Sequence, residues 1–417
     1  MGKIVVRGGR PLTGEVAVHG AKNAVLPILA ATVVVGGVHT IENCPELSDV
    51  STTVEILKEL GADVVRDGDR LIIDTRADLS CYIPERLMRK LRSSIIFMGA
   101  VLARNKKAKI SSPGGCELGP RPIDLHIKAL RELGAEIIEE HGYLVCQAKE
   151  LVGREIHLDI PSVGATENAM LLAVAAEGET VIQNAAREPE IEDLANMLNK
   201  MGAQILGAGT SKVTVRCAGK LKAAHHRVMP DRIVATTYLC AAASTGGDIT
   251  VKDVCPEHLS AVLAVLSDCG CMIEKGEGFV RLCAPKRLLS VKSIKTMPYP
   301  GFPTDAQSLF LAMLSKSDGT TIISETIFES RFNVAAELCR MGAKIAVDSR
   351  IAVVQGVDRL YGACVTAQDL RGGAALVVAA LGANGKTEIN SPHYIYRGYE
   401  NLEKNLKTLG ADIAYEE

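Results

Sequence analysis

The sequence predicts an α/β fold assembled from six copies of one unit of about 70 residues, and two internal patterns carry that prediction. The first is "LKELGADVV", "LRELGAEII", "LNKMGAQIL", "LSDCGCMIE", "LCRMGAKIA" and "LKTLGADIA", whose glycines are Gly61, Gly134, Gly202, Gly270, Gly342 and Gly410, spaced 73, 68, 68, 72 and 68 residues apart. The second precedes it in every copy: "ILAATVVVGGVHTIEN", "MGAVLARNKKAKISS", "LLAVAAEGETVIQN", "LCAAASTGGDITVKD", "LAMLSKSDGTTIISE" and "VVAALGANGKTEINS".

Each element of the unit has a local cause. The alanine- and glycine-rich opening reads as a helix that neighbours can approach closely, followed by a turn and a strand. The apolar i, i+3, i+4 spacing before the repeated glycine reads as a second helix, with the glycine as its left-handed C-terminal cap. An alternating run such as "DVVRDGDRLIID" or "AKIAVDSRIAVV" then reads as a hairpin. The expected unit is therefore helix, strand, helix, hairpin, and it cannot bury both faces alone. Six such units close as one ring or divide into two groups of three.

A chain of 417 residues, 47% hydrophobic and 23% charged, supports a large globular core. Six phenylalanines and no tryptophan make that core aliphatic and small. A net charge of −2 argues against a general nucleic-acid binder, which needs a basic surface. Twelve cysteines without a CxxC pair argue against a zinc site and suit a reducing cytosol. The run "AVLPILAATVVVGGV" is too short to span a bilayer, and "MGKIVVRGGRPLTG" has no apolar signal core, so a soluble, cytoplasmic protein is expected.

Seven basic residues stand before or at the start of predicted helices: Lys22, Arg92, Arg121, Arg232, Arg331, Arg371 and Arg397. Helix N-termini favour negative charge, so this placement points to two lobes facing an anion-binding cleft. For any single one of them, pairing with a nearby acid is the simpler reading. In "SSPGGCELGPRPIDLH", Cys116 lies in a loop rich in glycine and proline, upstream of Arg121 and of a helix that Pro122 opens and whose apolar stripe is Ile123, Ile127 and Leu130. A helix N-terminus and a guanidinium both favour the thiolate, although most cysteines are simply buried. In "FPTDAQSLF", Thr304 and Gln307 fit a capping box that places Asp305 in the first turn. Lys22 and Asn23 precede the first helix, and Ser162, Val163 and Gly164 form a turn whose amides suit phosphate oxygens.

Taken together, "GAKNAVLPIL", "LRSSIIFMGAVLAR", "PGGCELGPRPIDLH", "PSVGATENAM", "PDRIVATTYL", "FPTDAQSLF", "FESRF" and "YRGYENLEKNL" resemble the enolpyruvyl transferase family over essentially the whole chain. Within it they resemble the UDP-N-acetylglucosamine 1-carboxyvinyltransferases of bacterial peptidoglycan synthesis. The resemblance implies two inside-out α/β barrel lobes of three units each, residues 22–229 and residues 1–21 with 230–417, with the active site in the cleft between them. It implies transfer of the enolpyruvyl group of phosphoenolpyruvate to the 3′-hydroxyl of UDP-N-acetylglucosamine. Phosphate is released through a tetrahedral ketal, with no metal or organic cofactor, no nucleic-acid or membrane partner, and a monomer or weak oligomer.

Site roles are implied by the same match. Lys22, Arg121 and Arg397 correspond to the clamp on phosphoenolpyruvate, Cys116 to the mobile thiol implicated in protonating the enol carbon and in product release and alkylated by fosfomycin, and Asp305 to the general base proposed at the sugar hydroxyl. Asn23 and Ile327 correspond to sugar contacts, while Arg121, Pro122, Asp124 and Leu125 correspond to the uracil site. Ser162, Val163 and Gly164 correspond to the diphosphate turn, and Arg92, Arg232, Arg331, Asp369 and Arg371 to further positions lining the cleft. Many members have a lysine two residues before that serine, where this chain has Ile160.

Overall fold

The repeated unit forms six times as a four-stranded sheet, all six with one strand order. The computed structural model describes residues 2–111, 123–217 and 219–417. Cys116, Arg121 and Pro122 lie outside the described residues. In the copy at Glu155–Cys217, the strand Glu155–His157 runs parallel to Glu179–Gln183. That strand pairs antiparallel with Lys212–Cys217, which pairs in turn with Ala203–Leu206.

The observed unit therefore opens with a short strand that the sequence reading lacks. Two or three residues, as at Tyr82–Ile83, Glu155–His157, Ser293–Lys295 and Cys364–Thr366, are too few to show an alternating pattern. The sixth copy departs again from the expected hairpin. Its strand Asp412–Glu416 pairs with Lys3–Arg7 from the start of the chain. Thr13–Ala17 likewise serves as the parallel leading strand of the fourth copy, against Asp248–Lys252.

The described residues divide into two compact units, one within 20–229 and the other combining 2–19 with 230–417. Each has its own core, one drawn from Ala21 to Val228 and the other from Ile4 to Val18 and Val234 to Ile413. Three sheets belong to each unit, and the first copy of the 20–229 unit is completed by the late strand His225–Arg227.

The small-residue helices lie inside. Every residue of Leu370–Gly382 is buried, as are eight of the ten in Lys22–Ala31, which explains why their sequences are apolar all round. The six repeated glycines all take positive φ, from 89° at Gly270 to 108° at Gly202, as C-terminal caps in the left-handed region require. No helix among the described residues is long and apolar enough to cross a membrane.

Candidate active site

In the unit that includes residues 230–417, the structure gathers charge around Asp305. The helix Thr304–Leu314 begins one residue earlier than the capping-box reading requires, with Pro303 as its N-cap and no side-chain cap. Thr304 donates its hydroxyl to Glu325 at 2.9 Å, and Gln307 accepts from Ser308 at 3.1 Å, so the capping box does not form. Asp305 is in the first turn, where its charge also suits the helix dipole.

Two guanidiniums hold its carboxylate. Arg331 Nη2 is 2.5 Å from Oδ1, and Arg371 donates to Oδ2 from Nη2 at 2.9 Å and Nε at 3.2 Å. Both arginines are 3% exposed, whereas the Asp305 side chain is 24% exposed, so the open side of the cluster is the carboxylate. Burial acts to lower the Arg371 pKa, but Asp305 and Tyr399 outweigh it and the guanidinium is held charged. Arg371 Nη1 also donates to Tyr399 Oη at 3.4 Å, and that hydroxyl meets Thr237 Oγ1 at 2.7 Å. Arg331 Nε is buried with no hydrogen-bond partner among the described residues.

Other predicted residues of this unit take different places. Asp369 is the N-cap of Leu370–Gly382, accepting from the Arg371 and Gly372 amides. Arg232 opens the helix Arg232–Thr245 behind the capping Asp231. Arg397 ends the 3-10 helix Pro392–Arg397 and precedes the helix Leu402–Thr408. Ile327 is exposed in the loop between the strand Thr320–Ser324 and the helix Val334–Arg340.

In the 20–229 unit, Lys22 and Asn23 open the helix Lys22–Ala31, and Lys22 Nζ is 2.7 Å from Oδ2 of the buried Asp49. Asp49 has no signal in the sequence beyond its place in an amphipathic helix, Ser48–Leu60. Arg92 opens the 3-10 helix Arg92–Ile96. Ser162 caps the helix Val163–Ala173 by accepting from the Ala165 amide, so Val163 and Gly164 lie in a helical first turn and not in a free turn. Ile160 is 62% exposed.

Asp124 and Leu125 begin the helix Asp124–Glu132, whose buried positions are His126, Ala129 and Leu130, with Ile123 and Ile127 half-buried. The sequence reading omitted His126, which packs so closely on the first turn of the helix Val163–Ala173 that a Cβ on Gly164 would lie 2.8 Å from its ring. Asn168 spends its amide on Ile95 O at 3.0 Å and His126 Nδ1 at 2.7 Å, while its Oδ1 accepts from Gly99 N at 2.8 Å. That arrangement needs a neutral ring with Nδ1 as acceptor.

Burial, and secondarily Arg92, lowers the His126 pKa from 6.5 to about 4, partly opposed by Asp124. Between those values the unfolded chain binds the proton and the folded one does not. His126 therefore favours folding above pH 6.5, and that contribution is lost as the pH falls toward 4. Acidification from pH 7 to pH 5 is expected to cost about 2 kcal/mol at this residue. Urea titrations at the two pH values should show a smaller loss in His126→Gln; an equal loss would rule the histidine out.

Four of the described thiols are set apart by burial. Desolvation pushes Cys146, Cys269 and Cys271 up to about 12 and Cys240 higher still, so these are inert as nucleophiles at neutral pH. No group of three or more His, Cys, Asp or Glu among the described residues could hold a metal ion.

Comparison with known proteins gives the family and the fold. Residues 6–406 match the sequence profile of a family described as EPSP synthase (3-phosphoshikimate 1-carboxyvinyltransferase). The chain is 53% identical over 413 residues, 99% of each chain, to a protein of Caldanaerobacter subterraneus subsp. tengcongensis named UDP-N-acetylglucosamine 1-carboxyvinyltransferase 2. It superposes on the enolpyruvyl transferase NikO from Streptomyces tendae with a TM-score of 0.89, at 25% identity over 99% of this chain and 98% of that one. EPSP synthase from Acinetobacter baumannii matches at 0.76 with 19% identity over the whole of both chains, a likeness of fold alone.

Proposed function

The chain belongs to the EPSP synthase (3-phosphoshikimate 1-carboxyvinyltransferase) family, and from that membership we propose that it transfers the enolpyruvyl group of phosphoenolpyruvate to the 3′-hydroxyl of UDP-N-acetylglucosamine, releasing phosphate. This is the first committed step of peptidoglycan synthesis, carried out in the cytoplasm. The choice of acceptor rests on full-length relatives of that name at 45% to 53% identity. The observation in the geometry that supports it best is the partly open Asp305 carboxylate on two buried arginines.

In the reaction, the sugar hydroxyl adds to C2 of phosphoenolpyruvate as C3 gains a proton. The tetrahedral ketal then loses a C3 proton and phosphate. Asp305 takes the hydroxyl proton, and Cys116 supplies the proton to C3. Lys22, Arg121 and Arg397 hold the phosphate and carboxylate of phosphoenolpyruvate. Arginine forks match such planar anions, and Asp49 holds the Lys22 ammonium at the start of its helix by an ion pair of 2.7 Å. Asn23 and Ile327 contact the sugar, Arg121, Pro122, Asp124 and Leu125 the uracil, and Ser162 to Gly164 the diphosphate at a helix N-terminus. Arg331 lines the cleft beside Asp305, which it holds through Nη2. Arg371 holds the Asp305 carboxylate, and Arg92, Arg232 and Asp369 line the cleft.

A phosphate-release assay with two acceptors tests the reading. Release from phosphoenolpyruvate is expected only with UDP-N-acetylglucosamine. Release with shikimate 3-phosphate instead would move the chain to the other branch of its family, and release with neither would leave it a non-catalytic binder.

A further inference from the structure

One position breaks the internal repeat. The residue after the second strand of each copy is Asn43, Asn184, Asp253 or Ser391 in four of the described copies, all with φ between 53° and 58°. In the fifth copy it is Glu325, outside that left-handed group. In the first and third copies the asparagine amide ties the turn to the residue after the leading strand, Asn43 to Val228 O at 2.9 Å and Asn184 to Leu158 O at 2.8 Å. Glu325 makes the equivalent tie to Thr296, whose hydroxyl donates to Oε1 at 2.9 Å, and then does more.

Its carboxylate, 1% exposed, accepts at Oε1 from the amides of Ile327 at 2.7 Å and Phe328 at 3.2 Å, and at Oε2 from the Thr304 hydroxyl at 2.9 Å. Thr304 precedes Asp305 in the chain. Ile327 and Phe328 belong to the loop 325–333, longer than the five-residue loops 43–47 and 184–188 of the first and third copies, and the loop ends near Arg331. One buried carboxylate thus joins the helix start that carries Asp305 to the loop that carries Ile327 and Arg331. An asparagine is too short to reach both. A break in a repeated pattern that costs a buried charge marks a position under a constraint the other copies do not share.

We propose that Glu325 is a positioning residue for the enolpyruvyl transfer, setting the distance between the Asp305 base and the Ile327–Arg331 loop on the acceptor sugar. The inference rests on the reading of Asp305 and Ile327 given above. Glu325 touches neither substrate; it acts through Thr304 on one side and two backbone amides on the other. Glutamine retains Oε1 as acceptor for both amides, and its Nε2 can donate to Thr304. Alanine removes all four bonds.

Steady-state kinetics with UDP-N-acetylglucosamine and phosphoenolpyruvate varied separately provide the test. In Glu325→Ala, kcat is expected to fall about 10²-fold and KM for the nucleotide sugar to rise about tenfold, as a displacement of about 1 Å at a reacting group would give. KM for phosphoenolpyruvate should stay within about twofold, and Glu325→Gln should recover most of the kcat. A purely structural role would lower the folded, active fraction and move neither KM. That outcome, unchanged kinetics, or an equal rise in both KM values would overturn the proposal. Thr304→Val cuts one tether while keeping its shape, and covers the case in which the alanine variant does not fold. It should lower kcat about tenfold without a change in KM for phosphoenolpyruvate, and wild-type kcat in that variant would also overturn the proposal. Absence of turnover in the unaltered protein would instead count against the function, not against Glu325.

Discussion

Asp305→Asn is expected to lower turnover by about 10³-fold while leaving substrate binding within an order of magnitude, because an amide can accept the sugar hydroxyl but cannot take its proton. Single-turnover kinetics with radiolabelled phosphoenolpyruvate would separate that loss from a binding defect. The same carboxylate neutralises Arg331 and Arg371, each 3% exposed. Removing it leaves two buried guanidiniums without the carboxylate they share, so Asp305→Ala should cost about 3 kcal/mol of folding stability. The two roles can be parted. Asp305→Ala combined with Arg371→Met removes one stranded charge and should regain stability in urea without regaining turnover. If the double variant recovered activity, Asp305 would be a structural counter-ion only. If Asp305→Asn kept wild-type turnover, the base assignment would fail.

The repeat was legible because six copies of a helix-ending glycine and a small-residue helix are reinforced at every turn by local steric needs. Positive φ at all six glycines is the structural form of that signal. The leading strands were not legible, since Glu155–His157 or Ser293–Lys295 gains its strand character from a parallel neighbour and not from its own pattern. The pairing of Lys3–Arg7 with Asp412–Glu416 joins the two ends of the chain, a distance over which periodicity carries no information.

Side-chain partnerships were the least legible. "FPTDAQSLF" suggested a local cap for Thr304, whereas its hydroxyl goes to Glu325, and the cations at Arg331 and Arg371 turn back to Asp305. Asn168 and His126 are 42 positions apart and carry no motif that links them. Glu325, by contrast, stood in view as the last residue of "LAMLSKSDGTTIISE", in register with Asn43, Asn184 and Asp253. Aligning the copies for what they share hid the one that differs.

Cys116→Ser is expected to lower turnover by about 10²- to 10⁴-fold, the span that a positioned general acid contributes. The hydroxyl is nearly the size of the thiol, so the loop can still present it, but an alcohol is far too weak an acid to protonate carbon near neutral pH. An aspartate at the same place has the opposite property. A carboxyl titrates near 3.9 in the absence of perturbation, against about 8.5 for a thiol, so Cys116→Asp should turn over with its alkaline limb moved to lower pH. The shift of that limb identifies the donor. A loss of chemistry through loop disorder would scale the whole pH profile and leave its shape alone. Fosfomycin gives an independent check, because alkylation needs a sulfur nucleophile and the aspartate variant offers none of comparable reactivity at position 116. Cys146, Cys240, Cys269 and Cys271 are pushed up by burial and cannot substitute as thiolates. Full fosfomycin sensitivity in Cys116→Asp would therefore place the reactive thiol elsewhere and remove the reason for assigning the proton to this loop.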